Sequence, residues 1–214
     1  SFPTRRSSDL EFGLALVQAD ELEPPTRLRL EQMVGHVREL DTLIDELLSY
    51  TRLSSPYQRV DVQEISVVAY LDSVLGGFIG EQDSKGFSLN VHLERAPEYF
   101  RLDPRLTARA IHNLIGNAIR YCTKQVRVSA ELRDNELWIS VEDDGHGVPA
   151  SEQERIFEPF YRMDRSRDRI TGGYGLGLAI SRRAVGCQGG TITVQTASLG
   201  GACFRILLPD HQRT

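Results

Sequence analysis

The stretch "IHNLIGNAIRYC", residues 111 to 122, decides how this chain is read. Ile111, Leu114, Ile115, Ala118 and Ile119 recur at the spacing of a buried helical stripe. Asn113 and Asn117 stand one turn apart on another face, with Arg120 and Tyr121 a turn further on. Asparagine is a mediocre helix former because its amide competes with the backbone. Two of them stacked in the middle of a well-patterned helix need a reason other than helix formation.

Working outward, "RLDPRL" starts this helix well: Asp103 suits the cap and Pro104 the first turn. "VRVSAEL" and "ELWISVED" follow as alternating strands, joined through the hairpin turn Asp134–Asn135. Upstream, a helix fits Val67 to Gln82, weakened by Gly76, Gly77 and Gly80, and "FSLNVHLE" (Phe87 to Glu94) alternates as a half-buried strand. Downstream, "SEQERIF" carries a capping box, Ser151 with Glu154. "YGLGLAISRRAVG" reads as a helix entered from glycines, and "TITVQTA" and "CFRILLP" as two strands around "SLGG". This segregated mix predicts an α+β sandwich with helices on one sheet face.

The 214 residues are 40% apolar and 26% charged, as in a soluble globular protein of one or two domains. The net charge of −5 argues against a general nucleic-acid binder. No apolar run approaches the ~18 residues that span a bilayer. Cys122, Cys187 and Cys203 are odd in number and lack a C-x-x-C spacing, which argues against a disulfide framework or zinc site. They read as small core hydrophobes in a reducing cytoplasm. "SFPTRRSSDL" has charge but no apolar segment, so it is no signal peptide. Residues 1–9 are an unassigned leader, of native or foreign origin.

Leu10 to Val17 is helix-compatible, and "EPP" (Glu23 to Pro25) marks a break. Beyond it, Leu30, Val37, Ile44 and Thr51 recur every seven residues, with Met33, Leu40 and Leu47 three further on. A stripe of this kind needs a partner, so residues 10–55 are predicted to form a helical hairpin that dimerises as a four-helix bundle. The alternative is an amphipathic helix packed on its own domain. A linker, 56–61, leads to the second domain, 62–214.

In "EDDGHGVP" (Glu142 to Pro149), Gly145 and Gly147 allow the backbone to turn, and Asp143 sits at the strand end. An ionised Asp accepts hydrogen bonds only, so it suits an adenine amino group; taken alone, the segment is an ordinary Asp-Gly turn. His146 reads as a turn residue. "TGGYGLGLAI" clusters Gly172, Gly173, Gly175 and Gly177 at a helix start, where main-chain N–H groups can face phosphates. It matches neither a dinucleotide fingerprint nor a P-loop. Met163 to Gly173 is polar and reads as a mobile loop able to act as a lid. Arg162, Arg165, Arg167 and Arg169 either meet phosphates or form a solvated face. Magnesium takes hard oxygen ligands, and an amide oxygen adds no formal charge beside a triphosphate. Asn117 and Asn113 can present such oxygens from a rigid helix, with Arg120 adding positive charge and Tyr121 packing near the nucleotide.

The order "NLIGNAIRY", "DDGHG", "IFEPFYR", "GYGLGLAI" and a paired-glycine hairpin resembles the N, G1, F, G2 and G3 boxes of bacterial sensor histidine kinases, over roughly Val62 to Pro209. "IDELLSYTRL" also resembles the second helix of that family's dimerisation and phosphotransfer domain, and the whole is similar to RstB-like sensors acting on OmpR-type response regulators. The resemblance implies a sandwich of the GHKL (Bergerat) ATPase type, with a left-handed crossover, and the cofactors ATP and Mg2+. It implies Asn117 as principal magnesium ligand with Asn113 supporting it, and Asp143 as reader of the adenine amino group. Gly145 and Gly147 would shape that pocket. Gly173, Gly175, Leu176, Gly177 and Leu178 would border the phosphates, with Arg162 reaching them.

One departure is large. The family's acceptor box, of the form H-E-L-R-T-P-L, would fall inside residues 1 to 10, where no histidine stands. His36 lacks an adjacent acidic residue, and His112 lies beside the nucleotide position rather than across from it. The expectation is a homodimeric cytoplasmic portion of an inner-membrane kinase that binds Mg-ATP but does not phosphorylate itself. The alternatives are a hydrolysing GHKL ATPase, a serine kinase of the anti-sigma-factor type, and a non-catalytic dimeric scaffold. The first would want a glutamate where Asn113 stands.

Overall fold

The computed structural model describes residues 24–55, 58–80, 82, 86–163 and 174–210. The chain divides into two compact units, Ser1–Leu48 and Ser49–Thr214. Helix α1, Pro24–Leu53, begins in the first and ends in the second, and its prolines stand where a helix tolerates them, at its start. Val37, Leu40, Ile44 and Leu47 of the heptad are exposed at 40–56%, and Met33 more so, at 61%. The stripe is thus formed and open to a partner. The expected first helix, Leu10 to Val17, and the leader lie outside the described residues.

The second unit runs β1 (Gln63–Ser66), α2 (Val67–Ile79), β2 (Ser88–Arg95), β3 (Tyr99–Leu102), α3 (Pro104–Tyr121), β4 (Gln125–Arg133), β5 (Glu136–Asp143), α4 (Gly177–Gly186), β6 (Thr191–Thr196) and β7 (Ala202–Pro209). Five strands form one mixed sheet in the order β2-β4-β5-β7-β6, in which only β2 and β4 run parallel. Strands β1 and β3 make a separate antiparallel ribbon. The ribbon escapes sequence reading because four residues are too few for a clear alternation.

Alternation sorts the two sheet faces. Val126, Val128, Leu137, Ile139, Val141, Ile206 and Leu208 are buried in the core with the helical residues Leu71, Leu75, Ile111, Leu114, Ile115 and Val185. Each such side chain contributes about 1.5–3 kcal/mol when fully buried. The opposite face is polar, and there the Trp138 ring lies between the guanidinium groups of Arg133 and Arg205, each 5.0 Å from its centroid. Asp134 and Asn135 both have positive φ, 48° and 65°, as the predicted two-residue hairpin requires.

Two expectations need correction. The helix from Val67 stops at Ile79, with Gly80 as its cap, because Gly76 and Gly77 weaken its last turn. The capping box at Ser151 and Glu154 opens no α-helix: turns lead to a single 3-10 turn, Arg155–Phe157, with no side-chain cap. Ile156 and Phe157 are drawn into the core and Pro159 follows at once, so no second turn can form. Tyr161 braces this segment by donating to Glu152 under the guanidinium of Arg155.

Gly76 is exposed inside α2, with nothing within 4 Å of a side chain added there. Gly76→Ala is expected to stabilise the fold by about 0.5–1 kcal/mol through lost unfolded-state freedom, read as a rise in denaturation midpoint.

Candidate functional site

Helix α3 carries the site, and its start is anchored first. Asp103 is fully buried, and its Oδ1 accepts from the N–H groups of Arg105 (2.9 Å) and Leu106 (3.1 Å). Its Oδ2 accepts from Asp61 N–H at 2.8 Å, while its own N–H donates to Gln188 Oε1 at 2.7 Å. The cap therefore also ties α3 to the segment after α4.

The opening pair of asparagines separates into two roles. Asn113 Nδ2 donates to the Gly177 carbonyl at 2.9 Å and to Ser181 Oγ at 3.2 Å, and Ser181 Oγ itself donates to Gly177 at 2.9 Å. Because a carbonyl only accepts, the amide nitrogen faces α4, which leaves Oδ1 without a hydrogen bond among the described residues. Asn117 is half-buried, and its amide has no hydrogen-bond partner among the described residues. Two amide oxygens, one turn apart, are thus left for a ligand.

Asn113→Asp sets a carboxylate oxygen against the Gly177 carbonyl. It is expected to cost about 1–3 kcal/mol of stability, measured by chemical denaturation at neutral pH, where Asn113→Ser costs less.

At its other end α3 meets the loop after β5. Asp143 is only 3% exposed, and its Oδ1 accepts from Gly145 N–H at 2.9 Å and Ala202 N–H at 3.2 Å. Burial pushes this carboxyl above its ordinary range, against the pull of those two donors and of His146. Asp144 does the opposite work. Against some desolvation, the main-chain N–H groups of Lys124, Gln125 and Thr123 hold its carboxyl below the ordinary range. Its Oδ1 accepts from Thr123, Lys124 and Gln125 at 2.8, 3.0 and 3.1 Å, fastening the loop to the chain leaving α3. Gly145 fits because a Cβ there would collide with the Tyr121 carbonyl oxygen and come within 2.9 Å of Asp143 Oδ1. The Tyr121 ring stands edge-on to His146, centroids 5.5 Å apart.

The structure therefore places Asn113 against Gly177, and Tyr121 against Gly145, so one helix bridges both glycine-rich loops. Gly147 (φ 70°) and Gly175 (φ 74°) take left-handed backbone, and the Gly175 carbonyl accepts from Phe160 N–H at 2.9 Å. Arg120 is exposed in the last turn of α3, and Arg162 is half-buried. Leu176 is fully buried, so it offers a ligand only its main chain, and Leu178 packs against the core. Gly173 and the lid expected over Met163 to Gly173 lie, beyond Met163, outside the described residues, as do Arg165, Arg167 and Arg169. His112 packs on Phe78, centroids 5.1 Å apart, and His36 is exposed on α1.

Sequence reading missed three residues that hold the site. Ser181 follows Gly177 by one helical turn, a spacing that signals contact once a buried amide needs an acceptor. Asp144 was masked by its neighbour, since two adjacent acids look alike in sequence. Gly201 was visible as one of a glycine pair, without a reason for it. All three free cysteines have thiols pushed up by burial, as small interior side chains should.

Comparison with known proteins shows the family. Residues 102–212 match the family described as histidine kinase-, DNA gyrase B-, and HSP90-like ATPase, and the chain belongs to that family. Within it, the chain is similar to sensor histidine kinases of the RstB and CpxA type. It is 39% identical to the sensor protein RstB of Escherichia coli K12 over 81% of this chain and 40% of that protein. It is 32% identical to the sensor histidine kinase CpxA of the same strain, over 96% of this chain and 44% of the relative. The chain thus spans less than half the length of these curated relatives. Solved structures share the fold. Full-length ShkA in complex with AMPPNP superposes with a TM-score of 0.78 at 24% identity, covering 94% of this chain and 42% of that one. The Acinetobacter baumannii histidine kinase AdeS gives 0.67 at 20% identity, covering 96% and 95%.

Proposed function

We propose that this chain is the dimerising, nucleotide-binding portion of a two-component sensor histidine kinase, and that it binds Mg-ATP between α3, the loop after β5 and the N-terminus of α4. The observation that carries this reading is α3 itself, whose middle is tied to Gly177 and whose end packs on Gly145. Asp143 would accept the adenine amino group through the oxygen its two main-chain donors leave unused. The uncapped N–H groups at the start of α4 would face the phosphates. Asn117 and Asn113 would hold magnesium, and the Asn117 amide and the Asn113 oxygen, neither hydrogen-bonded among the described residues, fit that ion's preference for oxygen ligands. When bound, magnesium neutralises charge on the triphosphate and orients it.

Catalysis in this arrangement is positioning of the γ-phosphoryl for in-line attack by an imidazole. Asn113 supports a protein acceptor over water: an amide is no general base, and its nitrogen is already engaged with α4. The acceptor histidine would come from the acceptor helix of another chain, since residues 1 to 10 of this one hold no histidine. The phosphoryl would pass onward to an aspartate of an OmpR-type response regulator docked on a dimeric four-helix bundle. The parent protein would sit in a bacterial inner membrane; among the described residues no helix is long and apolar enough to cross one.

The test uses γ-labelled ATP. The chain alone should stay unlabelled, while a partner chain bearing an intact acceptor helix should gain acid-labile label when the two are mixed. Label on this chain alone, or rapid steady hydrolysis without any phosphoprotein, would overturn the assignment.

The raised carboxyl of Asp143 adds a pH dependence. Folding favours its protonated form, so its contribution to stability is full at acid pH and lost as pH rises through the folded value. Adenine recognition needs the ionised form. ATP affinity is therefore expected to fall on acidification at a pH above the ordinary carboxylate range, and titration calorimetry on Asp143→Asn should show no such step.

A further inference from the structure

We infer that Gly201, in the β6–β7 turn, is a positioning residue that sets base selectivity by seating the carboxylate of Asp143. The inference rests on the nucleotide-binding reading above and adds to it a group on another hairpin. Gly201 and Ala202 close over the end of β5. Gly201 N–H donates to the Asp143 carbonyl at 3.2 Å, and Ala202 N–H donates to its Oδ1 at 3.2 Å. A Cβ on Gly201 would overlap Asp143 Oδ1 and lie 2.5 Å from both the Asp143 carbonyl oxygen and the Gly145 nitrogen. Backbone cannot yield there as a flexible side-chain tip could. The Gly201 carbonyl in turn accepts from Ala197 N–H at 2.8 Å, which locks the turn from behind.

Two main-chain donors, one from the loop after β5 and one from the β6–β7 hairpin, hold Oδ1 and leave Oδ2 as the oxygen with no hydrogen bond among the described residues. A carboxylate held this way accepts from a 6-amino purine and opposes a 6-oxo purine, in which acceptor would meet acceptor. Discrimination between the two bases then depends on the hairpin as much as on Asp143.

The experiment compares ATP and ITP binding by calorimetry in wild type, Gly201→Ala, Asp143→Ala and the double variant. Gly201→Ala is expected to weaken ATP by at least roughly tenfold and ITP by less than about twofold, with no further loss of preference in the double variant. An unchanged ATP-to-ITP ratio in Gly201→Ala, or additive losses in the double variant, overturns the inference. If wild type binds neither nucleotide, the functional assignment fails instead. Should Gly201→Ala not fold, amide resonances of wild type decide: ATP should shift both Gly145 and Ala202, and ITP neither. An Ala202 amide indifferent to ATP while Gly145 moves would overturn the inference equally.

Discussion

Asn117→Ala should bind ATP in magnesium roughly 100-fold more weakly than wild type, a loss of about 2.8 kcal/mol. The size follows from what the amide does in the absence of ligand. It is half-buried and makes no hydrogen bond among the described residues, so its removal breaks none there. Its truncation is accordingly expected to shift stability by less than about 0.5 kcal/mol. Asn117→Asp keeps an oxygen donor and should recover part of the affinity, while adding a charge beside the triphosphate. A calorimetric titration showing wild-type affinity in Asn117→Ala would remove this residue from the metal site.

Gly145→Ala should produce the largest loss of stability among single-methyl changes in the loop after β5. The added carbon meets the Tyr121 carbonyl oxygen, which is backbone, and the Asp143 carboxylate, which Ala202 N–H also holds, at once. Overpacking of this kind costs about 3 kcal/mol, which in a domain of this size lowers the melting temperature by roughly 6–12 °C. Gly76→Ala supplies the opposite sign in the same assay, since the space around it is open. If Gly145→Ala melts with wild type, the junction between α3 and the β5 loop is looser than described.

The helices and sheet strands were legible because each states its partner through periodicity. In α3, a stripe from Ile111 to Ile119 shows which side is buried, and Asp103 with Pro104 shows where it starts. In β4 and β5, eight or more residues alternate and a turn with two positive φ values sets the register. The failures have the same root. The β1–β3 ribbon is held by pairing between segments more than thirty residues apart, with little local pattern. The capping box was locally correct in residue type, yet the pull of Ile156 and Phe157 into the core and the nearby proline decided the outcome.

At the site, residue chemistry was readable and mutual restraint was not. Asn113, Asn117, Asp143 and the glycines stand out by type and position. That Asn113 spends its nitrogen on Gly177 and Ser181, so that its oxygen is the free atom, depends on a helix more than sixty residues later. Likewise the reason for Gly201 exists only once β5 and β7 are neighbours.

Trp138, the single tryptophan of the sequence, stacks between two guanidinium groups on the sheet face turned away from α3. Its emission is consequently a built-in optical gauge of sheet integrity. Melting should separate the indole from both cations and shift its fluorescence, while arrival of a nucleotide across the sheet should leave the signal flat. One cuvette can therefore tell a variant that has come apart from one that has merely lost its ligand.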